Sequence, residues 1–430
     1  MNQFIRKFFL LFFFLELFLS FDASFASPKN IPKPQIDTLS FVVFKGVVVD
    51  HHTGSPLAFA SILLKGTNIS TVTNTEGSFS LKVPKEIQSG IMEISFLGYK
   101  TRTVPLDNLV NGLNTFELDA LTLVLPEVSI VFSDAASLVR EVIKRKGVNY
   151  SVNPILMTAF YRETIKKRKT YVSLQEAVVD VHKYPYTSGK QDWASLYKVR
   201  KKTDYQKLDT LVFKLMGGPY NTLFADVIKN SDDFFTDNMV NNYEFSFDMP
   251  TRIDDRTVYV VNFKQRSTYL DPLYYGKLFI EAQSLALIRA EFSLNLENRE
   301  AAADIFVKKK PINAKVYPTK SYCRVDYVER GDRWYLNYCR VELDIYINWK
   351  KKLFNTSYSS TMEMAVTDWT ASIMDDSWLK PKNKLKITAV VADEAAGFSD
   401  PAFWGDYNVI EPEKSIQSAI KKIQKQLKKN

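Results

Sequence analysis

Phe41 to Lys100 reads FVVFKGVVVDHHTGSPLAFASILLKGTNISTVTNTEGSFSLKVPKEIQSGIMEISFLGYK, and this stretch decides the fold of the N-terminal part of the chain. Runs rich in β-branched residues alternate with clusters of turn formers such as Asp50–Gly54 and Asn74–Gly77, a pattern typical of strands joined by tight turns. Apolar and polar residues alternate from Phe79 to Val83, which indicates a strand with one buried face. About seven such strands in roughly 80 residues predict an antiparallel β-sandwich. We expect glycines in or beside its turns at Gly46, Gly66 and Gly77.

Short motifs follow one another along this stretch. They are Gly46-x-Val48-x-Asp50, Thr53-Gly54-x-Pro56-Leu57-x-x-Ala60, Lys65-Gly66-Thr67, Thr73-Asn74-x-x-Gly77-x-Phe79 and Ser95-Phe96-Leu97-Gly98-Tyr99. Together they resemble the carboxypeptidase regulatory-like, or transthyretin-like, domain, which is common in cell-envelope proteins of the Bacteroidetes. That domain is an accessory beside a peptidase in the proteins that gave it its name. The resemblance therefore implies a β-sandwich used for stability or contacts, and it implies no peptidase chemistry.

The N-terminus has the pattern of a secretory signal peptide. Arg6 and Lys7 precede an apolar run from Phe8 to Phe21, and Ser24-Phe25-Ala26 is a small-x-small cleavage site. An uncleaved anchor is the alternative, although the run is shorter than the ~20 residues that span a bilayer. We therefore expect an exported protein of the periplasm or outer membrane, with no nucleic acid as partner. The net charge of +9 suits either an anionic surface or ordinary solubility.

The rest of the chain predicts a second, larger β domain. Long alternating runs such as Trp334 to Ile347 follow one another with tight turns, which favours an antiparallel sheet of about eight or more strands. Helices are expected at 133–146, capped by Ser133 and ended by Gly147, and at 221–230 and 298–309. The predicted fold class is mainly β (α+β): a transthyretin-like β-sandwich followed by a large curved antiparallel sheet with a few packed helices. The predicted units are a signal peptide (1–26), an extended leader (27–40), the sandwich (41–120), a linker strand and helix (121–150), the curved β domain (151–395) and a tail with a basic amphipathic helix (396–430).

Two consecutive strands of this second domain carry a further resemblance. Tyr275-Gly276-Lys277-Leu278-Phe279-Ile280-Glu281 runs into Ala286-Leu287-Ile288-Arg289-Ala290-Glu291-Phe292. This strand–turn–strand pattern resembles the half-barrel of periplasmic lipoprotein carriers and outer-membrane lipoprotein receptors. The resemblance implies a sheet curled around helices. We expect an apolar pocket in its concave face that holds a lipid or a lipoprotein tail.

Catalytic motifs are missing from the sequence. No glycines are spaced for a nucleophile elbow, a dinucleotide loop or a Walker loop, and the three histidines include no zinc-peptidase motif. The best constellation is Glu176, Asp180 and His182, which share one face of a predicted strand. They form either a site for a hard metal ion or a solvated polar face. No cofactor is predicted.

Cys323 and Cys339 flank a hairpin centred near Gly331. A two-residue turn at Arg330-Gly331 or Gly331-Asp332 would place the sulfurs on opposite faces and would align the apolar residues Val325, Tyr327, Trp334, Leu336 and Tyr338 on one face. A three-residue loop would bring the cysteines opposite each other. The sequence leaves both arrangements, and therefore a disulfide, open.

A basic amphipathic helix is predicted at the C-terminus over 413–428, with Pro412 at its first helical position. Its apolar stripe is Ile416, Ile420, Ile423 and Leu427, and its polar side carries Lys421, Lys422, Lys425, Lys428 and Lys429. The helix is expected on the outside of the second domain with its lysines in solvent. Either it docks only on its own domain, or its lysines make peripheral contact with a membrane or a partner.

These features predict a non-catalytic exported cell-envelope protein. The sandwich would be a contact or stability module, and the second domain would hold a lipid or lipoprotein moiety. The expected partners are lipid, lipoprotein or outer-membrane proteins. Two alternatives remain open: a periplasmic hydrolase in which Glu176 and Asp180 converge with a raised carboxylate pKa, and a structural subunit of an envelope assembly marked by an exposed apolar patch.

Overall fold

The structure, a computed structural model, describes residues 41–428 except 88, 122–133, 205, 207–217, 236–239, 269–270, 307–313, 351–354, 372–383, 387–394 and 401. The predicted signal peptide, leader and nearly all of the linker strand lie outside the described residues. No helix of the described part is both long enough and apolar enough to span a membrane.

The N-terminal unit is a sandwich of seven strands. They are β1 (Phe41–Asp50), β2 (Ser61–Leu64), β3 (Ser70–Val72), β4 (Ser78–Pro84), β5 (Ile91–Ser95), β6 (Arg102–Pro105) and β7 (Leu113–Leu118). One sheet has the order β4-β1-β7 and the other β3-β2-β5-β6. A core of its own fills the space between them, with Ile62, Phe79, Ile94 and Phe116 fully or almost fully buried. The predicted sandwich is confirmed, except that β1 and β7 run parallel.

Gly46 does not lie at a turn, so that prediction was wrong. It lies inside β1, and a Cβ added there would be 2.5 Å from the Phe116 ring and 2.6 Å from the Phe79 ring. The glycine is needed because two core rings pack directly against the backbone. Gly66 and Gly77 do lie in turns, with φ of 77° and 73°, in the region that favours glycine.

Gly46→Ala is therefore expected to lower the free energy of unfolding by about 1–3 kcal/mol, because the added methyl group overpacks the core. Urea unfolding of the full chain measures this difference. The matched control is Gly189→Ala, where a Cβ would meet nothing within 4 Å and the change should stay within about 0.5 kcal/mol. Equal stability of the two variants would contradict the packing argument.

The second unit is built on one sheet of ten antiparallel strands. They are β8 (Ile155–Lys167), β9 (Thr170–Lys183), β10 (Trp193–Thr203), β11 (Tyr243–Ile253), β12 (Arg256–Gln265), β13 (Tyr274–Glu281), β14 (Leu287–Leu294), β15 (Ala314–Arg330), β16 (Arg333–Trp349) and β17 (Thr356–Ala371). Their order is β10-β9-β8-β17-β16-β15-β14-β13-β12-β11. The predicted large antiparallel sheet is confirmed.

The helices of the described part are α1 (Ala135–Lys144), α2 (Lys146–Asn149), α3 (Pro219–Phe224), α4 (Ser231–Phe234), α5 (Arg299–Phe306) and α6 (Lys414–Leu427), with 3₁₀ turns at Leu106–Asn108 and Ala395–Phe398. Asp134, and not Ser133, caps α1 by accepting a hydrogen bond from the Ser137 N–H at 2.8 Å. Gly147 lies inside α2 and does not end a helix.

The helix predicted at 221–230 is replaced by the shorter α3 and α4. Pro219 opens α3, and the Asn230 amide donates to the carbonyls of Leu223, Phe224 and Asp226 at 3.1 Å. These bonds satisfy the carbonyls at the end of α3 and stop the helix. The prediction at 298–309 is confirmed over its described part, since α5 spans Arg299–Phe306.

The two faces of the large sheet are covered by different parts of the chain. Alternate strand residues such as Val179 and Met364 pack with Leu138 of α1 and Tyr220 of α3. Their neighbours on the other face pack with the sandwich and the C-terminal segment, in a cluster containing Val72, Phe160, Tyr338, Trp404 and Ile410. The sandwich therefore lies on the face of the sheet opposite α1 and α3, which cover the helix-covered face, and α6 packs through Leu174 on the same face as the sandwich.

The cavities of about 650, 210 and 40 Å³ that described residues line do not lie between the sheet and helices α1 and α3. Buried aromatic side chains occupy that space, including Tyr150, Tyr186, Tyr220 and Phe235. The apolar pocket expected in the concave face of the sheet stays a prediction.

The β15–β16 hairpin has the two-residue turn Gly331-Asp332, since Arg330 pairs with Arg333. A bulge then inserts Asn337 between Leu336, which pairs with Tyr327, and Tyr338, which pairs with Asp326. The extra residue reverses the facing of the strand residues after it. Tyr338 therefore does not lie on the predicted apolar face.

The cysteines do not lie on opposite faces either, because Cys339 pairs with Val325, which is on the same side as Cys323. Both thiols are free.

The C-terminal helix α6 begins at Lys414, with Glu413 as its N-cap residue, so Pro412 precedes the helix instead of opening it. Ile416 and Ile423 are buried against Leu174 and Phe398. The helix thus docks on its own domain, and its described lysines Lys414, Lys421, Lys422, Lys425 and Lys428 are exposed as expected. Lys429 lies outside the described residues.

Candidate functional site

A row of charged residues crosses the sandwich-covered face of the sheet. Each member pairs with the next across neighbouring strands, and directly opposed residues share a face. From β10 to β13 the row is Arg200, Glu176, Arg162, Glu363, Arg340, Arg324, Glu291 and Lys277. One of the residues singled out from the sequence, Glu176, is therefore a member of a long ionic network.

Glu176 lies between two arginines and is almost fully buried. Its carboxylate oxygens are 2.7 Å from Nη2 of Arg162 and 2.6 Å from Nη2 of Arg200. Burial alone would raise the pKa of Glu176, but the attraction and hydrogen bonds of the two guanidinium groups prevail and lower it. Glu176 is thus an ionised, fully engaged carboxylate and not the raised-pKa group that a hydrolase requires.

The sandwich and the C-terminal segment cover this row. Phe59 lies with its ring centroid 5.0 Å from the Arg324 guanidinium and 5.2 Å from that of Arg340, and it stacks on Tyr338 at 5.0 Å. Nη2 of Arg162 donates to the Ile410 carbonyl at 2.8 Å. These contacts shield the arginines in the middle of the row and attach both the sandwich and the C-terminal segment to the sheet.

Asp180 and His182 do not converge with Glu176. Four residues of a strand span about 13 Å, so Glu176 and Asp180 meet different neighbours. Asp180 accepts a 3.4 Å hydrogen bond from Thr158, and burial raises its pKa. His182 stacks on Trp193 at 3.5 Å, and burial lowers its pKa to about 4. No group of three His, Cys, Asp or Glu in the described part is placed to hold a metal ion.

A second buried ionic cluster lies on the helix-covered face, and sequence reasoning missed it. Nζ of Lys183 is 2.8 Å from Asp192 and 2.7 Å from Asp226, and all three side chains are almost completely buried. The Tyr327 hydroxyl also donates to Asp226 at 2.7 Å. The cluster ties β9 to the segment between α3 and α4, which is a structural role, since every charge has a partner.

A groove of about 650 Å³ lies between α6 and the edge of the large sheet. Its apolar lining includes Leu174 of β9 and Ile423 of α6, which both belong to the small core cluster beneath the helix. Three lysines line it from three separate parts of the chain: Lys169 at the β8–β9 turn, Lys202 on β10 and Lys422 on α6. The groove therefore combines apolar surface with converging positive charge.

The three groove lysines form no ion pair with any carboxylate in the described ranges. Asp204 is the one acidic residue among the described lining residues. This excess of positive charge attracts an anion, while Leu174 and Ile423 offer surface for a hydrocarbon chain. No local sequence signal marks the groove, because its lysines are far apart in the chain.

Residues 44–130 match the family model of the CarboxypepD_reg-like domain, which coincides with the sandwich and confirms the resemblance. Over 70 residues the chain is 34% identical to the TonB-dependent receptor SusC of Bacteroides thetaiotaomicron. The matched stretch covers 16% of this chain and 7% of that receptor.

Three solved structures show remote similarity. A DUF1329 family protein from Desulfovibrio piger is 10% identical, with 58% of this chain and 98% of that chain covered and a TM-score of 0.23. A LolA superfamily protein from Nitrosomonas europaea is 11% identical, with 57% and 97% covered and a TM-score of 0.21. Lipovitellin is 8% identical, with 58% and 29% covered and a TM-score of 0.25. Similarity of this degree says nothing about the ligands of this chain.

Proposed function

We propose that the protein is a non-catalytic exported envelope protein that holds an anionic amphiphile, an acyl chain with an acidic head group, in the groove under α6. The groove itself carries this proposal. Its volume of about 650 Å³ falls within the roughly 300–1,000 Å³ of typical ligand sites. The apolar lining would take the chain and the three lysines the head group.

The position of α6 supports the same function. Ile416 and Ile423 attach the helix to the domain, and Lys422 faces the groove beside them. Lys421 and Lys425 are exposed and do not line the groove. One helix thus carries a lysine that faces the groove and lysines that face solvent. Comparing substitutions of the two kinds can distinguish binding in the groove from nonspecific attraction by net charge.

The sandwich would serve as a stability module within this function. It covers the charged row through Phe59, and it is tied to the C-terminal segment by reciprocal hydrogen bonds between Lys82 and Asn408 of 2.7 and 3.2 Å. Its Glu76 carboxylate accepts from the Lys414 N–H at the start of α6 at 3.3 Å. The sandwich therefore supports the helix that forms one wall of the groove.

The double variant Lys202→Glu, Lys422→Glu is expected to weaken binding of a fluorescent long-chain fatty acid by about tenfold or more, because two attractive charges become repulsive. A fluorescence titration with the full chain measures the affinity.

Lys421→Glu, Lys425→Glu is the matched control, since it makes the same change in net charge at two positions of α6 outside the groove. Its affinity should remain close to that of the wild type. If both double variants lose affinity equally, the attraction is nonspecific and the groove is not the binding site.

A further inference from the structure

A second cavity, of about 210 Å³, lies between the sandwich and the large sheet. Strands β2 and β5 form its sandwich wall, and the bulge of β16 forms part of the opposite wall. The cavity is separate from the groove under α6, so a ligand bound here is independent of the proposed function. Cavities between two packed units are common places for small ligands.

The bulge residue Asn337 lines this cavity. Its side chain is only 5% exposed, yet its amide forms no hydrogen bond with any residue that the structure describes. Because this amide opens into the cavity, its hydrogen-bond partners must come from whatever occupies the cavity. Bulges often redirect a side chain towards a functional site. Asn337 therefore indicates a polar occupant that supplies the missing partners.

The sandwich wall presents matching groups. Ser61 and Ser95 are paired residues on β2 and β5, and Glu93 lies two positions from Ser95 on the same face of β5. All three line the cavity, and their side chains form no hydrogen bond within the described part of the chain. The cavity thus has two hydroxyl groups, one carboxylate and one amide without partners among the described residues.

The other charged groups of the cavity already have hydrogen-bond or ion-pair partners. Arg289 is bonded to Asp326, Arg256 lies 2.5 Å from Glu329, and Asp254 accepts from the Thr101 hydroxyl at 2.9 Å. Neither arginine is available to an anionic ligand, and Glu93 would repel one. An anion is therefore disfavoured, and a simple ammonium group, which only donates hydrogen bonds, could not partner the N–H groups of the Asn337 amide, so the ligand must both donate and accept hydrogen bonds.

We propose that this cavity binds a small uncharged polyhydroxylated ligand of monosaccharide size. Sugar hydroxyls donate to Glu93 and accept from the Asn337 amide, and they do both with Ser61 and Ser95. The rings of Phe96 and Trp334, which also line the cavity, offer apolar surface to the C–H face of a sugar. The volume accommodates a single sugar ring.

Saturation-transfer NMR of the full chain with glucose, galactose, mannose and N-acetylglucosamine tests this site. At least one sugar should give a signal in the wild type, and Asn337→Leu should weaken its affinity about tenfold. Asn337→Leu should not lower the Tm, because no hydrogen bond within the described part of the protein is lost. Ser55→Ala, in an exposed turn, is the control and should bind as the wild type does.

Glucuronate and glucose 6-phosphate provide the charge test. Both should bind more weakly than glucose, because Glu93 faces the ligand. Stronger binding of either anion would overturn the assignment of an uncharged ligand. No signal from any sugar, or equal affinity in Asn337→Leu, would show that the cavity holds ordered water only and would overturn the proposal.

Discussion

Glu176→Gln is expected to lower the free energy of unfolding by about 3–5 kcal/mol, the largest effect we predict for a single substitution on the sandwich-covered face. Glutamine keeps the shape of the side chain but leaves Arg162 and Arg200 without the carboxylate that joins them at 2.7 and 2.6 Å. Both guanidinium groups are largely buried, so water cannot replace the lost charge. Chemical unfolding followed by circular dichroism measures the change.

Glu244→Gln is the matched control for this experiment. Glu244 pairs with Lys264 at 3.0 Å, but both side chains are well exposed, and such pairs contribute at most about 1 kcal/mol. A loss in Glu176→Gln no larger than in Glu244→Gln would show that the buried ion pairs of Glu176 stabilise the protein no more than an exposed pair does.

The contribution of Glu176 should also depend on pH. Its pKa is lowered from 4.5 in the folded state, so the folded protein retains the ionised form to lower pH than the unfolded chain does. The stabilisation is fully present above the unfolded-state pKa and is lost as the pH falls through the folded-state pKa. The stability difference between wild type and Glu176→Gln should therefore shrink below pH 4.5 and stay constant between neutral pH and about pH 6.

Lys183→Met is expected to have an effect of similar size, about 3–5 kcal/mol, on the helix-covered face. The ammonium group joins Asp192 at 2.8 Å and Asp226 at 2.7 Å. Without it Asp226 has no ion-pair partner in the described part of the chain and repels Asp192, which keeps only Lys229 at 3.8 Å. The free energy of unfolding of the full chain again measures the change.

A second substitution separates lost attraction from leftover charge. Lys183→Met combined with Asp226→Asn removes the carboxylate that is left without an ion pair, so the double variant should be more stable than Lys183→Met alone. If Asp226→Asn destabilises the protein further in the Lys183→Met background, then the leftover carboxylate charge is not the cause of the lost stability.

Local patterns were sufficient to predict much of the fold. The turn formers at Asp50–Gly54 and Asn74–Gly77 delimit strands of the sandwich, and the long alternating runs become the ten-stranded sheet. Register could not be predicted in the same way. The bulge at Asn337 changes the facing of Tyr338 and Cys339, and the closeness of two rings to Gly46 depends on how β7 and β4 flank β1.

The functional regions were harder to predict, because each combines residues distant in sequence. Glu176 was singled out for its spacing to Asp180 and His182, but its actual partners come from β8 and β10. The spacing of residues along one strand shows that their side chains lie on the same face of the sheet, but it does not show which residues they contact. The groove likewise brings together a hairpin turn, an edge strand and the last helix, which no local motif could indicate.

Labelling with a photoreactive fatty acid tests the ligand groove most directly. After irradiation of the full chain, peptide mass spectrometry locates the attached label. We predict labels on Tyr171–Leu174 and on Ala419–Gln426, the walls of the groove, and their loss when unlabelled fatty acid competes. Labels confined to the helix-covered core around Tyr220, or no label that competitor removes, would contradict the proposed groove.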